Sequence, residues 1–141
     1  MTWMIIRVRG GVHANREIVT TLADLHLSRP NHATVVPEEP AFRGMITKVA
    51  GYVTWGEADP STVELLLKER GRARKDVSGT APAPTAAQVA ATGLARAGGW
   101  KPMFRLHPPT GGWRSTKKTF ARGGALGYRG AAINELARRM I

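Results

Sequence analysis

The feature that most limits how this 141-residue chain can fold is a long stretch without acidic side chains. No Asp or Glu occurs from Val77 to Asn134, and residues 77–141 hold ten Lys or Arg against the single acid Glu135. Like charges repel one another in a compact state, so such a segment needs a polyanion beside it. Nucleic acid is the first interpretation, an anionic membrane surface the second, and a solvated basic tail the third.

The centre of this stretch, residues 104–130, is rich in glycine as well as in positive charge. It contains six Gly and six Lys or Arg, and few apolar side chains that burial could use to drive folding. Glycine lets a main chain approach a phosphate closely and donate N–H groups to it. Trp113, Phe120 and Tyr128 lie among the basic residues and can either stack on unpaired bases or pack on the domain, with stacking favoured for Trp113. We expect the segment to become ordered on RNA.

The first 58 residues alternate between strand and helix patterns. Alternation of apolar side chains predicts strands over residues 3–9, 32–36 and 52–55, with Gly56 ending the third. Helical spacing predicts a helix over 16–26, with Asn15 as its N-cap, and a second helix that starts at Pro40. The order β-α-β-α-β with short connections indicates one compact sheet-and-helix unit.

The remainder of the chain is predicted as a helical and loop-rich extension, residues 59–141. A helix begins at residues 59–61, with Asp59 or Ser61 as its cap, a short helix covers 85–91, and a last helix covers 130–141. In the last helix Ile133, Leu136 and Met140 share one face, which needs an apolar surface to pack on. We therefore expect the chain to return to the 1–58 core domain, which makes 104–130 a loop held at both ends and argues against a free tail.

Several functional classes find no support in the sequence. The absence of Cys excludes disulfides and thiolate chemistry, and the four His residues stand at no metal-binding spacing. No phosphate-loop motif or G-x-S-x-G motif occurs, so we predict no enzyme, no cofactor and no metal, and the hypothesis of an RNA-modifying enzyme is set aside. No apolar run approaches the roughly 20 residues of a membrane span, and the start is too short an apolar run for a signal peptide.

Specific strings of the sequence resemble a known family, the large-subunit ribosomal proteins of the L-thirty family in their long archaeal and eukaryotic form. These strings follow the family's order over nearly the whole chain: "IIRVRG" (5–10), "LHLSRPNHATVVPEEPAFRGMITKV" (25–49), "YVTWGEAD" (52–59), "LLLKERGR" (65–72), "FRLHPPTGGW" (104–113) and "GGALGYRGAAINELARRM" (123–140). Residues 76–99, rich in Ala, Pro and Gly, depart from the helical insert expected there, which leaves their fold and any RNA contact by Arg96 open.

The resemblance implies an α+β fold, in which a three-stranded antiparallel sheet with two helices, related to the ferredoxin-like arrangement, carries the C-terminal extension. It also implies a non-catalytic, structural role in the cytoplasmic large ribosomal subunit, with large-subunit rRNA and neighbouring ribosomal proteins as partners and 5S rRNA nearby. No membrane or small-molecule partner is expected. The alternative is a non-ribosomal RNA-binding regulatory protein. The predicted RNA-binding residues are Arg7, Arg9, Arg16, Arg29, Arg43, Arg105, His107, Trp113, Arg114, Lys117, Lys118, Arg122 and Arg129.

Overall fold

The computed structural model describes residues 2–10, 15–70, 103–113 and 118–141. The predicted helix at 85–91, the 76–99 segment and the predicted contacts Arg114 and Lys117 lie outside the described residues. In chain order the elements are β1 (Thr2–Arg7), α1 (Arg16–Asp24), β2 (His32–Pro37), α2 (Pro40–Lys48), β3 (Val53–Glu57), α3 (Pro60–Arg70), β4 (Phe104–Arg105), a 3-10 turn (Phe120–Arg122), β5 (Gly127–Tyr128) and α4 (Ala132–Met140).

The predicted α+β class is confirmed, and the three antiparallel strands form the centre of a wider sheet. The strand order is β4-β2-β1-β3-β5, with Met4 of β1 paired to Val35 on one side and to Gly56 on the other. The extension adds a two-residue strand at each edge, β4 antiparallel to β2 and β5 parallel to β3. Sheet edges present unpaired N–H and C=O groups, and both edges of the three-stranded core are covered by pairing of this kind.

Helices cover both faces of the sheet, so every residue of β1 is buried. On one face Trp3 and Ile5 join a cluster with Leu22 of α1 and Ile46 of α2. On the other face Met4 and Ile6 join a cluster with residues of the extension. That second cluster contains Leu66 and Leu67 of α3 together with Ile133, Leu136 and Met140 of α4.

The last helix therefore packs on the sheet with the apolar face that its sequence pattern predicts. Because α3 and α4 share one apolar cluster with β1 and β2, the extension buries its apolar surface on the 1–58 unit. The division of the chain at residue 58 into a core domain and a C-terminal extension stays a prediction.

The start of α3 agrees with the alternative in which Asp59 precedes the helix, whereas the end of β3 differs from the sequence-based prediction. The carbonyl of Asp59 accepts the first helical hydrogen bonds, and its own N–H donates to Asn134 Oδ1 at 2.8 Å, which ties α3 to α4. The prediction that Gly56 ends the third strand is wrong, because Gly56 lies inside β3. The reason is tertiary: the main chain at Gly130 passes so close to Gly56 that a side chain there would collide with it.

Candidate nucleic-acid interface

One end of the sheet collects exposed basic side chains, and we call it the basic end. It is the end at which β1 finishes and β2 and β3 begin, where the N–H of Asn31 donates to the Arg7 carbonyl at 2.8 Å. β4 reaches the same end because Arg105 pairs with His32. The helices α3 and α4 also finish here, since the His107 N–H donates to the Met140 carbonyl at 3.0 Å and the Arg70 side chain contacts the His107 ring. The exposed basic residues of this end are Arg9, Arg29, Arg105, His107, Arg138 and Arg139.

His32 lies at the centre of the basic end, and its pKa reflects its burial and the positive charges around it. The side chain is only 9% exposed, and its pKa is held below the ordinary value, first by burial and then by the charges of Arg105, Arg29 and Arg7. No carboxylate contributes to this shift. Several guanidinium groups concentrated around one partly buried position produce a positive potential that favours binding of an anion.

The opposite end of the sheet is acidic. Trp3 pairs with Glu57 at this end, and the Tyr128 hydroxyl donates a 2.7 Å hydrogen bond to the Glu57 carboxylate. This hydrogen bond is the main reason that the pKa of Tyr128 is raised. Arg43 lines a pocket with Glu38 and Glu57, so the structure places this predicted contact at the acidic end, away from Arg29 and Arg105.

Arg7 occupies a different position from that expected of an RNA contact. Arg7 is only 5% exposed, and its Nε and Nη1 donate to the carbonyls of Arg9 and Leu27 at 2.9 and 2.8 Å. Burial lowers its pKa. Its guanidinium is thus engaged by the main chain of the β1–α1 region. Arg9, by contrast, is exposed, and its guanidinium lies 5.3 Å from the centre of the Tyr52 ring.

Arg129 is half-buried and links β5 to the rest of the sheet. Its Nε donates to Thr54 Oγ1 and its Nη2 to the Ala125 carbonyl, both at 2.7 Å, and its guanidinium lies 4.9 Å from the centre of the Phe120 ring. Burial, with a smaller contribution from the charge of Arg139, lowers the pKa of Arg129 to about 10. The side chain stays protonated at neutral pH and holds local structure in place.

The three aromatic residues of the loop divide between packing and exposure. Trp113 is half-buried, although the sequence favours stacking of its ring on a base. It packs against Val8 and Leu126 and against the apolar cluster that β1 shares with α3 and α4. Phe120 and Tyr128 are 41% and 52% exposed, and Tyr128 also lies 6.1 Å from the Trp55 ring. Exposed aromatic surface beside an arginine therefore lies at Phe120, whereas the exposed ring of Tyr128 lies at the acidic end with Glu57.

The other predicted contacts, Arg16, Lys118 and Arg122, are exposed. Arg16 begins α1, Lys118 lies two residues before the 3-10 turn, and Arg122 ends that turn. Sequence reasoning leaves Arg70, Arg138 and Arg139 out of the predicted set, although all three lie at the basic end. The sequence signal that could have found them is the presence of basic residues in the last turns of α3 and α4. In α4 the same residues are also explained by the helix dipole, which favours positive charge at a C-terminus.

Neither a membrane-spanning helix nor a metal-binding cluster occurs in the part of the chain that the structure describes. No helix there has the length and apolar character needed to cross a membrane. Within the same residues, no group of three or more His, Asp or Glu side chains is placed to hold a metal ion.

The fold and its charge distribution define a small α+β protein with one end suited to a polyanion. Residues 3–53 match the family model of "Ribosomal protein L30p/L7e". "Large ribosomal subunit protein uL30" of Methanosphaera stadtmanae is 42% identical, with 99% of each chain covered. The proteins of the same name from Korarchaeum cryptofilum and Methanococcus vannielii are 42% and 39% identical, covering 97% and 100% of this chain and 93% and 100% of their own. The chain belongs to this ribosomal protein family, which confirms the resemblance seen in the sequence.

Proposed function

We propose that the chain is a structural constituent of the large ribosomal subunit in the cytoplasm, where it binds rRNA without catalysing a reaction. The observation that carries the proposal is similarity over nearly the full length to relatives named as proteins of that subunit. A match that covers both chains to their ends includes the extension, whose β4 and α4 supply part of the basic end.

The mechanism that we propose is scaffolding by a rigid, positively charged surface. Arg9, Arg29 and Arg105 neutralise rRNA phosphates and release counterions, while pairing of β1, β2 and β4 fixes the spacing of the main-chain segments that carry them. Helices packed on both faces keep this sheet end from deforming. We propose large-subunit rRNA as the ligand, with 5S rRNA nearby and neighbouring ribosomal proteins at other surfaces.

The acidic end supports an orientation in the particle. Glu38 and Glu57 at that end disfavour contact with phosphates, so the basic end faces RNA and the acidic end faces protein or solvent. This polarity makes a prediction for matched substitutions, because Arg43 and Arg105 are both exposed arginines at opposite ends of the sheet.

The test is binding of the purified chain to a transcript of large-subunit rRNA, at several salt concentrations. We expect Arg105→Gln and Arg29→Gln each to weaken binding and to reduce the slope of log affinity against log salt by about one, as removal of one phosphate contact does. Arg43→Gln, with the same loss of charge at the acidic end, is the control and should change the slope little. Equal slopes for all three variants contradict the assignment of the basic end.

Assembly into the particle is tested separately with a tagged copy in sucrose gradients. We expect the tagged chain to sediment with the large subunit at physiological salt. If it binds RNA but stays at the top of the gradient, the ribosomal role is refuted and a regulatory RNA-binding protein becomes the better interpretation.

A further inference from the structure

A cleft of about 270 Å³ lies between α4 and the chain segments before and after residues 114–117. We call it the Trp113 cleft and define it by Trp113, Phe120, Arg129, Glu135 and Arg139. Its size is near the lower end of ligand pockets, which start at roughly 300 Å³. It shares Arg139 with the basic end but contains none of the three arginines around His32, and neither its aromatic nor its acidic lining is explained by phosphate neutralisation alone.

The walls of the cleft provide flat apolar surface. Phe120 is 41% exposed, and Trp113 is half-buried with its ring against Val8 and Leu126. A guanidinium, that of Arg129, already lies over the Phe120 ring at 4.9 Å. Aromatic rings and guanidinium planes are the groups on which proteins stack unpaired RNA bases.

Two arginines give the cleft a fixed positive charge. Arg139 donates from Nη2 to the Thr110 carbonyl at 2.7 Å, and Arg129 is anchored to Thr54 and Ala125. The two charges repel each other: burial is the main cause of the lowered pKa of Arg129, and the charge of Arg139 lowers it further. An anion in the cleft relieves this repulsion, and the anchoring reduces the entropy lost when it binds.

Glu135 is the unexpected member of the lining, because it is the single acid of residues 77–141. Arg139 lies one helical turn later but does not pair with Glu135, because its Nε and Nη2 donate to the carbonyl groups of Thr110 and Gly112. Within the described part of the chain, Glu135 forms no salt bridge. A carboxylate is repelled by phosphate but accepts hydrogen bonds from donors on a base edge. Guanine is the natural base whose Watson–Crick edge presents two adjacent donors, N1–H and N2–H₂.

We propose that the Trp113 cleft receives one unpaired guanine of the bound RNA. The base stacks against Phe120, its Watson–Crick edge donates two hydrogen bonds to the Glu135 carboxylate, and an adjacent phosphate lies between Arg129 and Arg139. The inference rests on the proposed function, since it assigns a base-reading site to a protein that otherwise contacts the RNA backbone.

The experiment is analogue interference mapping with the full chain and a large-subunit rRNA transcript that carries sparse phosphorothioate-tagged inosine in place of guanosine. Inosine keeps N1–H and loses the N2 amino group. We expect one guanine whose replacement reduces recovery of bound RNA by about tenfold, the order of effect of losing a paired base contact. The side-chain amide of Glu135→Gln has one acceptor and one donor group, so it cannot accept hydrogen bonds from both N1–H and N2–H₂. Loss of the N2 amino group should then no longer reduce binding, and interference at that guanine should disappear in this variant.

Glu64→Gln is the matched control, because Glu64 is an exposed carboxylate on α3 and its loss adds the same positive charge outside the cleft. It should retain the interference site, and both variants should unfold at the same urea concentration as the unaltered chain. Interference that persists in Glu135→Gln, or no interference in the unaltered chain despite specific binding, overturns the inference alone. A failure of the unaltered chain to bind the transcript specifically overturns the proposed function and the inference together.

Discussion

Replacing Gly56 with Ala should show how the extension is held against the sheet. A Cβ at this position would lie 3.0 Å from the carbonyl carbon of Gly130 and 3.1 Å from Cβ of Ile133, with the Gly130 carbonyl oxygen nearer still. These are main-chain atoms and a buried core atom, so no side-chain rotation relieves the contact. The segment that joins β5 to α4 must move away from β3.

The size of the effect follows from the distances. Carbon atoms pack best at roughly 3.5–4.0 Å, and the Gly130 carbonyl oxygen is the nearest atom to the added Cβ, so the two backbones must separate by roughly 1 Å or more. Overpacking of this kind costs about 1–3 kcal/mol. We expect the free energy of unfolding to fall by about 3 kcal/mol, because the shift also disturbs the hydrogen bonds from Asn134 to the Glu57 carbonyl and from the Asp59 N–H to Asn134.

The measurement is urea unfolding followed by far-ultraviolet circular dichroism. Gly44→Ala is the control, because Gly44 lies inside α2 and a Cβ added there would meet no other atom within 4 Å. Alanine is favoured over glycine in a helix interior, so this variant should be more stable by about 0.5–1 kcal/mol. A Gly56→Ala chain as stable as the unaltered one would refute the close approach of Gly130 to β3.

Three further predictions concern buried polar groups. Arg129→Met removes two hydrogen bonds and should lower the free energy of unfolding by about 1–3 kcal/mol, with no rescue by Lys, which lacks the planar fork. Asn134→Ala removes three hydrogen bonds and should cost about 2–3 kcal/mol in the same urea assay. The folded-state pKa of His32 lies below the unfolded value of 6.5, so the unfolded chain binds the proton more readily, and stability should be retained above about pH 6.5 and decline as the pH falls below it. His32→Gln should flatten this dependence, and the control His26→Asn, at an exposed turn, should not.

The elements that the sequence predicts best are those coded by local periodicity. The pattern predicts α1 over 16–26 and the structure has it at Arg16–Asp24, while the last helix is predicted over 130–141 and lies at Ala132–Met140. Each buries the face that its spacing indicates. The caps are less regular: Asn15 is the N-cap residue of α1, but its side chain makes no capping hydrogen bond.

The placement of individual arginines could not be predicted, because it depends on contacts between distant parts of the chain. Arg7 and Arg9 are two residues apart in the sequence, yet Arg7 is buried on main-chain carbonyls and Arg9 is exposed. Arg129 is half-buried because Thr54, 75 residues away, offers its hydroxyl to it. Arg43 lies at the acidic end for a similar reason, since β3 brings Glu57 beside it.

The order of strands and helices, the segregation of charge into the last 65 residues and, through its motifs, the family all follow from the amino-acid sequence alone. The folded chain was needed to learn that two short segments of the extension complete the sheet and that Arg29, Arg105 and His107 meet at one end of it. The difference lies in the range of the interactions. Side-chain periodicity is set by neighbours within a few residues, whereas strand pairing and burial depend on residues that meet only when the chain is folded.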